Sequence, residues 1–343
     1  MRHYSIFSKE KSMKLRQNGC TIFAATSIVF FALMASMKQV RAELSFIDLT
    51  HSIPTFKPSV TDPTKPDLSK PIANSKPIAG FYHQAVLYPA DIWPTNEGEF
   101  ASAAVLIQEH NGTSFNSPNH YINNAQSLEP GAVPQKERKA SEALTINQLT
   151  GKIVLIDVSA RVRQELSKNG GMPHPDTSIT DFSDNSNATV RAKDIEAIAD
   201  QIEDGVWIVA HLGWSQLYGM GGEDWNAPGY VNGLNHPGFT REAIDKLIEI
   251  MEIKGVKISG IAADSLSTDS GEGVNGSDNK WSDSWPAHVR LYQRDILIVE
   301  NLANLDTLVT IHQRGKCSLV VSALKHVGGT GGPARVIAVC NNE

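Results

Sequence analysis

Cysteine is scarce in this chain, and basic charge is outweighed. Three cysteines, Cys20, Cys317 and Cys340, stand among 343 residues with no Cys-x-x-Cys spacing, which argues against a thiolate metal centre. Cys317 and Cys340 lie in segments of strand character around a glycine-rich stretch, so a disulfide between them is one reading and two free thiols the other. Lys and Arg number 31 against 37 Asp and Glu. Nucleic acids and anionic membrane surfaces are bound through basic patches, so neither is an expected partner. Tandem repeats are absent. Long apolar runs are also lacking, apart from one near the start, and at roughly 17 apolar and small residues it falls short of the ~20 that span a bilayer.

That run reads as a targeting signal. Lys14 and Arg16 precede it, apolar and small residues fill about 21–37, and Val40-Arg41-Ala42 closes it, the layout of a secretory signal cleaved near Ala42. Export to a periplasmic or extracellular compartment is therefore expected, without a stable membrane anchor. The segment holds seven basic residues and one acidic, leaving residues 43–343 with 24 basic against 36 acidic and a formal net charge of −12.

Residues 43–343 fit one large domain. A stretch rich in Pro, Lys, Ser and Thr at 54–77 has no apolar periodicity and reads as a surface arm. Short Ile- and Val-rich runs at 103–108, 152–158, 206–210, 256–262 and 296–299 read as buried strands, as do 317–324 and 335–339. Two helices stand out. One, over 193–203, puts Ile195, Ile198 and Ile202 on one face. The other starts at Thr240, aligns Ile244, Leu247, Ile248 and Met251, and stops at Gly255. The tract 161–189 reads as a polar loop insertion, and the polar loops at 219–232 and 267–284 are placed to line a site mouth. Trp214, Trp225, Trp281 and Trp285 are candidates for an aromatic pocket, with core packing the leading reading of each taken alone. The mixture defines an α/β protein.

The chemistry concentrates in His110-Asn-Gly-Thr-Ser-Phe-Asn-Ser-Pro-Asn-His120, two histidines ten residues apart around a Gly-Thr turn. Imidazoles fixed around a tight turn suit a hydrolytic metal site, with one histidine left to move a proton. The segment resembles the His-x-Gly-Thr-His-x-Asp-x-Pro-x-His motif of the cyclase-like metal-dependent hydrolases, the family of kynurenine formamidase and isatin hydrolase. Asp48-Leu49-Thr50-His51, Leu212-Gly213-Trp214-Ser215, His236-Pro237-Gly238, the Asp264–Asp269 loop, His288 with the stretch 300–305, and the glycine loop 328–335 resemble further family segments in family order.

The resemblance implies the swivelling β/β/α fold and a homo-oligomer acting on a small-molecule substrate. It implies hydrolysis of a C–N bond in an amide, formamide or lactam, arylformamidase-like. It carries metal ligation onto His110, His288 and Glu300 and acid/base catalysis onto His120, with Thr113 and Trp214 toward substrate or oxyanion. Two family ligand positions are changed to Ser114 and Asn116, a weak ligand and a neutral one. A pair of bridged metals is therefore not expected. Two histidines and a carboxylate suit one divalent ion, Zn or Mn foremost and Fe(II) also reasonable. The alternative is no metal at all, a catalytically silent secreted binding protein in which His110 bonds Ser114 as a remnant. An arginine such as Arg290 or Arg335 is the other partner open to Glu300 if it is buried. His51, His211, His236, His312 and His326 receive structural or solvated readings.

Overall fold

The computed structural model describes residues 44–53, 55–56, 85–88, 104–121, 132–221, 226–271, 285–312 and 316–341. The targeting segment, most of the 54–77 arm, Trp225 and Trp281 lie outside them.

The strands are β1 (Leu44–Asp48), β2 (Thr55–Phe56), β3 (Ala85–Tyr88), β4 (Ala104–Leu106), β5 (Ser114–Asn116), β6 (Thr150–Asp157), β7 (Trp207–His211), β8 (Gly260–Ala263), β9 (Leu297–Glu300), β10 (Cys317–Ala323) and β11 (Gly331–Asn341). Strands β2 to β4 make a small separate sheet. The main sheet runs β1-β11-β10-β6-β7-β8-β9-β5, and a further pairing of β5 with β11 closes all but β1 into a seven-stranded barrel. In this sheet β6 to β9 are mutually parallel, and the remaining pairings are antiparallel.

Period-two alternation sorts the strand residues between two cores. Ile153, Trp207, Val209, Leu297, Val299, Phe115, Leu319 and Val336 pack together inside the barrel. Their neighbours Val154, Ile208, Ala210, Ile261 and Ile298 face outward onto the helices. Cys317 and Cys340, directly opposite in the β10–β11 ladder, are joined by a disulfide.

The helices are α1 (Ile146–Leu149), α2 (Ser159–Ser167), α3 (Ala192–Ala197), α4 (Arg241–Lys254), α5 (Pro286–Tyr292) and α6 (Leu305–Ile311). In α4 the Thr240 hydroxyl accepts from the Ala243 amide, the expected stripe is buried, and Gly255 ends the helix. The helix expected over 193–203 is shorter: α3 gives way at Ile198 to a 3-10 turn at Ala199–Gln201, although Ile195, Ile198 and Ile202 are buried as the spacing requires. The tract expected to be loop from 161 to 189 starts inside α2, which buries Val162 and Leu166. Its two buried apolar residues, a turn apart among Arg, Gln and Glu, give too narrow a stripe to read from sequence. Among the described residues, no helix is long and apolar enough to cross a membrane.

Candidate active site

The barrel closes through β5, only three residues long and paired on both edges. Ser114 lies opposite Glu300 and Asn116 opposite Ile298 on β9, while Gly331 and Pro333 of β11 face Asn116 and Ser114. Because side chains alternate, Phe115 points into the barrel core and Ser114 and Asn116 share the outer face with Glu300. A 3-10 turn, Pro118–His120, then brings His120 back to that face. On the other side, α5 presents His288 and, one turn on, Tyr292. The ring centroids of His110 and His120 are 4.0 Å apart, those of His120 and His288 6.2 Å, and those of His288 and Tyr292 5.4 Å. The predicted residues His110, His120, His288 and Glu300 thus share one cluster.

Glu300, at the end of β9, faces the imidazoles and is buried. Its Oε2 accepts from the Asn116 amide at 3.0 Å, and its Oε1 accepts from the Thr268 backbone at 3.1 Å and lies 3.4 Å from His288 Nε2. Asn116 uses its other end on His110, with Oδ1 2.7 Å from Nδ1. An amide oxygen only accepts, so the proton sits on His110 Nδ1 and the lone pair on Nε2. The His110–Ser114 bond expected for a remnant site is therefore replaced by His110–Asn116, and the Ser114 hydroxyl is buried without a hydrogen bond. The arginine alternatives fail as well. Arg290 pairs with Asp245, and Arg335 is committed to Asp48 at 2.6 Å.

Electrostatics divides the histidines. Burial lowers the pKa of His110, with Glu300 and Asn116 opposing it. Burial, reinforced by His110 and His288, takes His120 down to about 2, so it is a neutral imidazole. Burial also opposes charge on His288, but the Asp269 hydrogen bond and the Glu300 and Asp269 carboxylates outweigh it and raise its pKa. The buried Tyr292 hydroxyl is held well above its ordinary value, burial first and Glu300 next.

The Gly-Thr turn is held by Asn301, the residue after Glu300. Asn301 Nδ2 donates to the Gly112 carbonyl at 2.9 Å, and its own carbonyl accepts from the Thr113 hydroxyl at 2.5 Å. That hydroxyl also accepts from the His51 amide at 2.9 Å, so Thr113 is spent on the backbone rather than aimed at an oxyanion. Trp214 takes the core-packing reading. It is fully buried, its indole N–H donates to the Tyr230 carbonyl at 2.9 Å, and its ring packs edge-on against Phe182. The turn it belongs to is fixed by Asp264, whose carboxylate accepts from the amides of Leu212 and Trp214 at 2.7 and 3.1 Å. Trp285 is only partly buried and meets the His288 ring edge-on, centroids 5.6 Å apart.

Four further residues shape the site: Asp269 and Asn301, which lie in family-matching segments but received no role from the sequence, and Tyr292 and Glu109, which the sequence did not single out. Glu109 clamps the glycine loop beside His110, accepting from the Thr330 hydroxyl and bonding His326 Nε2, each at 2.5 Å. Tyr292 had a readable signal, since it follows His288 by one helical turn. The other three act through tertiary contacts that no local pattern announces.

A closed barrel with parallel strands backed by helices, and an imidazole–carboxylate cluster at the seam, places the protein in a class of α/β barrels whose site is built on the closing strand. The chain belongs to the cyclase family, whose description is "Putative cyclase" and whose pattern matches residues 47–270. It is 26% identical to isatin hydrolase of Roseibium aggregatum over 240 residues, covering 70% of this chain and 75% of that protein. The fold matches isatin hydrolase A from Labrenzia aggregata bound to benzyl benzoate, with a TM-score of 0.55 and 20% identity over 91% of this chain and 99% of the other. An isatin hydrolase bound to the product analogue thioisatinate matches at 0.55 and 22%, covering 94% and 99%.

Proposed function

We propose that this protein hydrolyses the C–N bond of a lactam, amide or formamide carried by an aromatic ring, using one divalent metal ion. The observation that carries the reading is the donor set around Glu300: a buried carboxylate ringed by His110, His120 and His288, with its two candidate arginines engaged elsewhere. Asn116 and Thr268 donate to it and His288 faces it, and a divalent ion would replace the proton shared between Glu300 and the imidazoles.

The donor set fits one ion and not two. His110 Nε2 has a free lone pair, His288 Nε2 already faces Glu300, and Glu300 is anionic, which makes the two-histidine, one-carboxylate set that Zn or Mn accepts. Ser114 and Asn116 contribute only a neutral hydroxyl and a neutral amide, too little charge for a second ion. Among the described residues no three His, Cys, Asp or Glu side chains already converge as a ligand shell, because Asn116 ties His110 to Glu300. Loading the site requires that amide to let go.

When bound, such an ion acidifies water and polarises a carbonyl. His120 does the proton work. Burial and the neighbouring imidazoles keep it neutral in this structure; to take a proton from the attacking water and deliver it to the departing nitrogen as the C–N bond breaks, it needs anionic charge developing beside it to offset that penalty. Trp285 offers an aromatic surface beside His288 for the ring of the substrate. Export is part of this reading, supported by the N-terminal signal pattern and by the disulfide, and so is assembly as a homo-oligomer.

Elemental analysis of residues 43–343 beside a His288→Ala variant tests the metal. One ion per chain, lost in the variant, supports the proposal. No metal after supplementation with Zn and Mn sinks it and leaves a secreted binding protein on a hydrolase fold. Isatin and aryl formamides are the substrates to assay first.

A further inference from the structure

Asp269 is fully buried and stands outside the residues assigned above. Both its oxygens are spent on the start of α5. Oδ1 accepts from the Ala287 amide at 2.6 Å. Oδ2 lies 2.5 Å from His288 Nδ1 and accepts from the His288 amide at 3.4 Å. The loop bearing it is pressed against another segment: Phe239 bridges Asp269 in parallel, and a Cβ on Gly238 would sit 2.5 Å from the Asp269 carbonyl oxygen. Only glycine permits that approach. The His236-Pro237-Gly238 segment therefore fixes where the Asp269 carboxylate lies, and Asp269 fixes His288.

We propose that Asp269 is a positioning residue that fixes a proton on His288 Nδ1, so that Nε2, on the Glu300 side, is the nitrogen that exchanges its proton for a cation. An ionised carboxylate only accepts hydrogen bonds, so a neutral imidazole must place its proton on Nδ1. The other nitrogen, 3.4 Å from Glu300 Oε1, is then the one free to bind a cation. A carboxylate behind a ligating histidine fixes its tautomer and ring orientation and raises its basicity. The inference rests on the single-ion reading above, and the two can fail separately.

The test is Asp269→Asn, nearly isosteric. Its amide oxygen can keep the Ala287 bond, but its NH₂ then faces His288 Nδ1 and reverses the tautomer. Nitrogen-15 NMR of the histidine rings at pH 8.5, assigned with His288→Gln, reads the tautomer directly in metal-free protein. Isothermal titration with Zn(II) reads affinity. Wild type should show His288 as Nδ1–H, and Asp269→Asn should show Nε2–H with Zn(II) binding about 10- to 100-fold weaker. A wild-type Nε2–H tautomer overturns the proposal even if the variant does not fold. So does a folded variant with unchanged tautomer and affinity. An Nδ1–H tautomer in a wild type that takes up no Zn(II) supports the role of Asp269 and removes the metal reading alone.

Discussion

The amide nitrogen of Asn116 donates to Oε2 of Glu300 across 3.0 Å, between two neighbouring strands of the barrel seam. The Asn116 side chain is thereby a neutral strut between the carboxylate and His110.

Replacing the strut with Asn116→Asp should have opposite effects with and without metal. In EDTA the variant loses a hydrogen bond to a buried charge and sets two carboxylates side by side, at a cost of roughly 1.5–3 kcal/mol. With saturating Zn(II) the second carboxylate becomes a ligand, so the gain in melting temperature on adding metal should exceed that of wild type. Equal stability in EDTA would show that the amide is not bonded to Glu300.

Gly331 is a second sensitive point. A Cβ there would lie 2.5 Å from the Phe115 carbonyl oxygen and 2.7 Å from His110 Cε1. Gly331→Ala should therefore push β11 off β5 and turn the His110 ring, costing about 1–3 kcal/mol. Urea denaturation gives the stability, and metal titration of the folded fraction gives the displacement of His110. Unchanged values in both would contradict the close packing at the seam.

Tyr230 supports the Gly-Thr turn at one remove. Its hydroxyl donates to Asn301 Oδ1 at 2.6 Å, and Asn301 has left-handed backbone, φ 57°, so the side-chain bonds hold an unfavourable conformation in place. Tyr230→Phe leaves a buried acceptor unpaired and should cost about 1–3 kcal/mol, with a lower metal affinity because His110 precedes the turn. A variant that loses stability without losing affinity would separate the turn from the site.

Stability should also fall in mild acid through His236. Burial lowers its pKa to about 4, opposed by the Pro237 carbonyl and Asp269. The unfolded chain binds the proton near the ordinary value of about 6.5 while the folded one does not, so stability rises with pH across that window. Going from pH 7 to pH 4, this single group should remove on the order of 3 kcal/mol, with the loss levelling off below. Denaturant melts at steps of pH, compared with His236→Gln, check it. An unflattened slope in the variant would assign the acid sensitivity elsewhere.

Much of this was legible in the sequence, for identifiable reasons. The α4 helix carries its cap, stripe and stop within 16 residues, and the buried strands announce themselves as Ile and Val runs. His110, His120, His288 and Glu300 were readable through the family resemblance, which carries roles onto matching positions; the local His110–His120 spacing by itself is a weak signal. Asp269 and Asn301 were hidden, since their roles depend on the approach of Gly238 and of the Gly112 turn from distant parts of the chain. Trp214 stayed open between core and pocket in the sequence, because a tryptophan beside a family turn serves either. Only the Tyr230 carbonyl at its indole nitrogen decides between them.

The closing strand also sets an order of events. β5 meets β9 and β11 from the far end of the sequence, and contacts between such distant segments form late because the intervening loops must first be closed. A chain with its parallel strands and α4 already in place would still have His110 and Asn116 apart from Glu300. Following helical signal and Zn(II) binding together in a refolding sample therefore tests whether the barrel seals last: recovery of binding should trail the helical signal, and simultaneous recovery would place the seam among the early contacts.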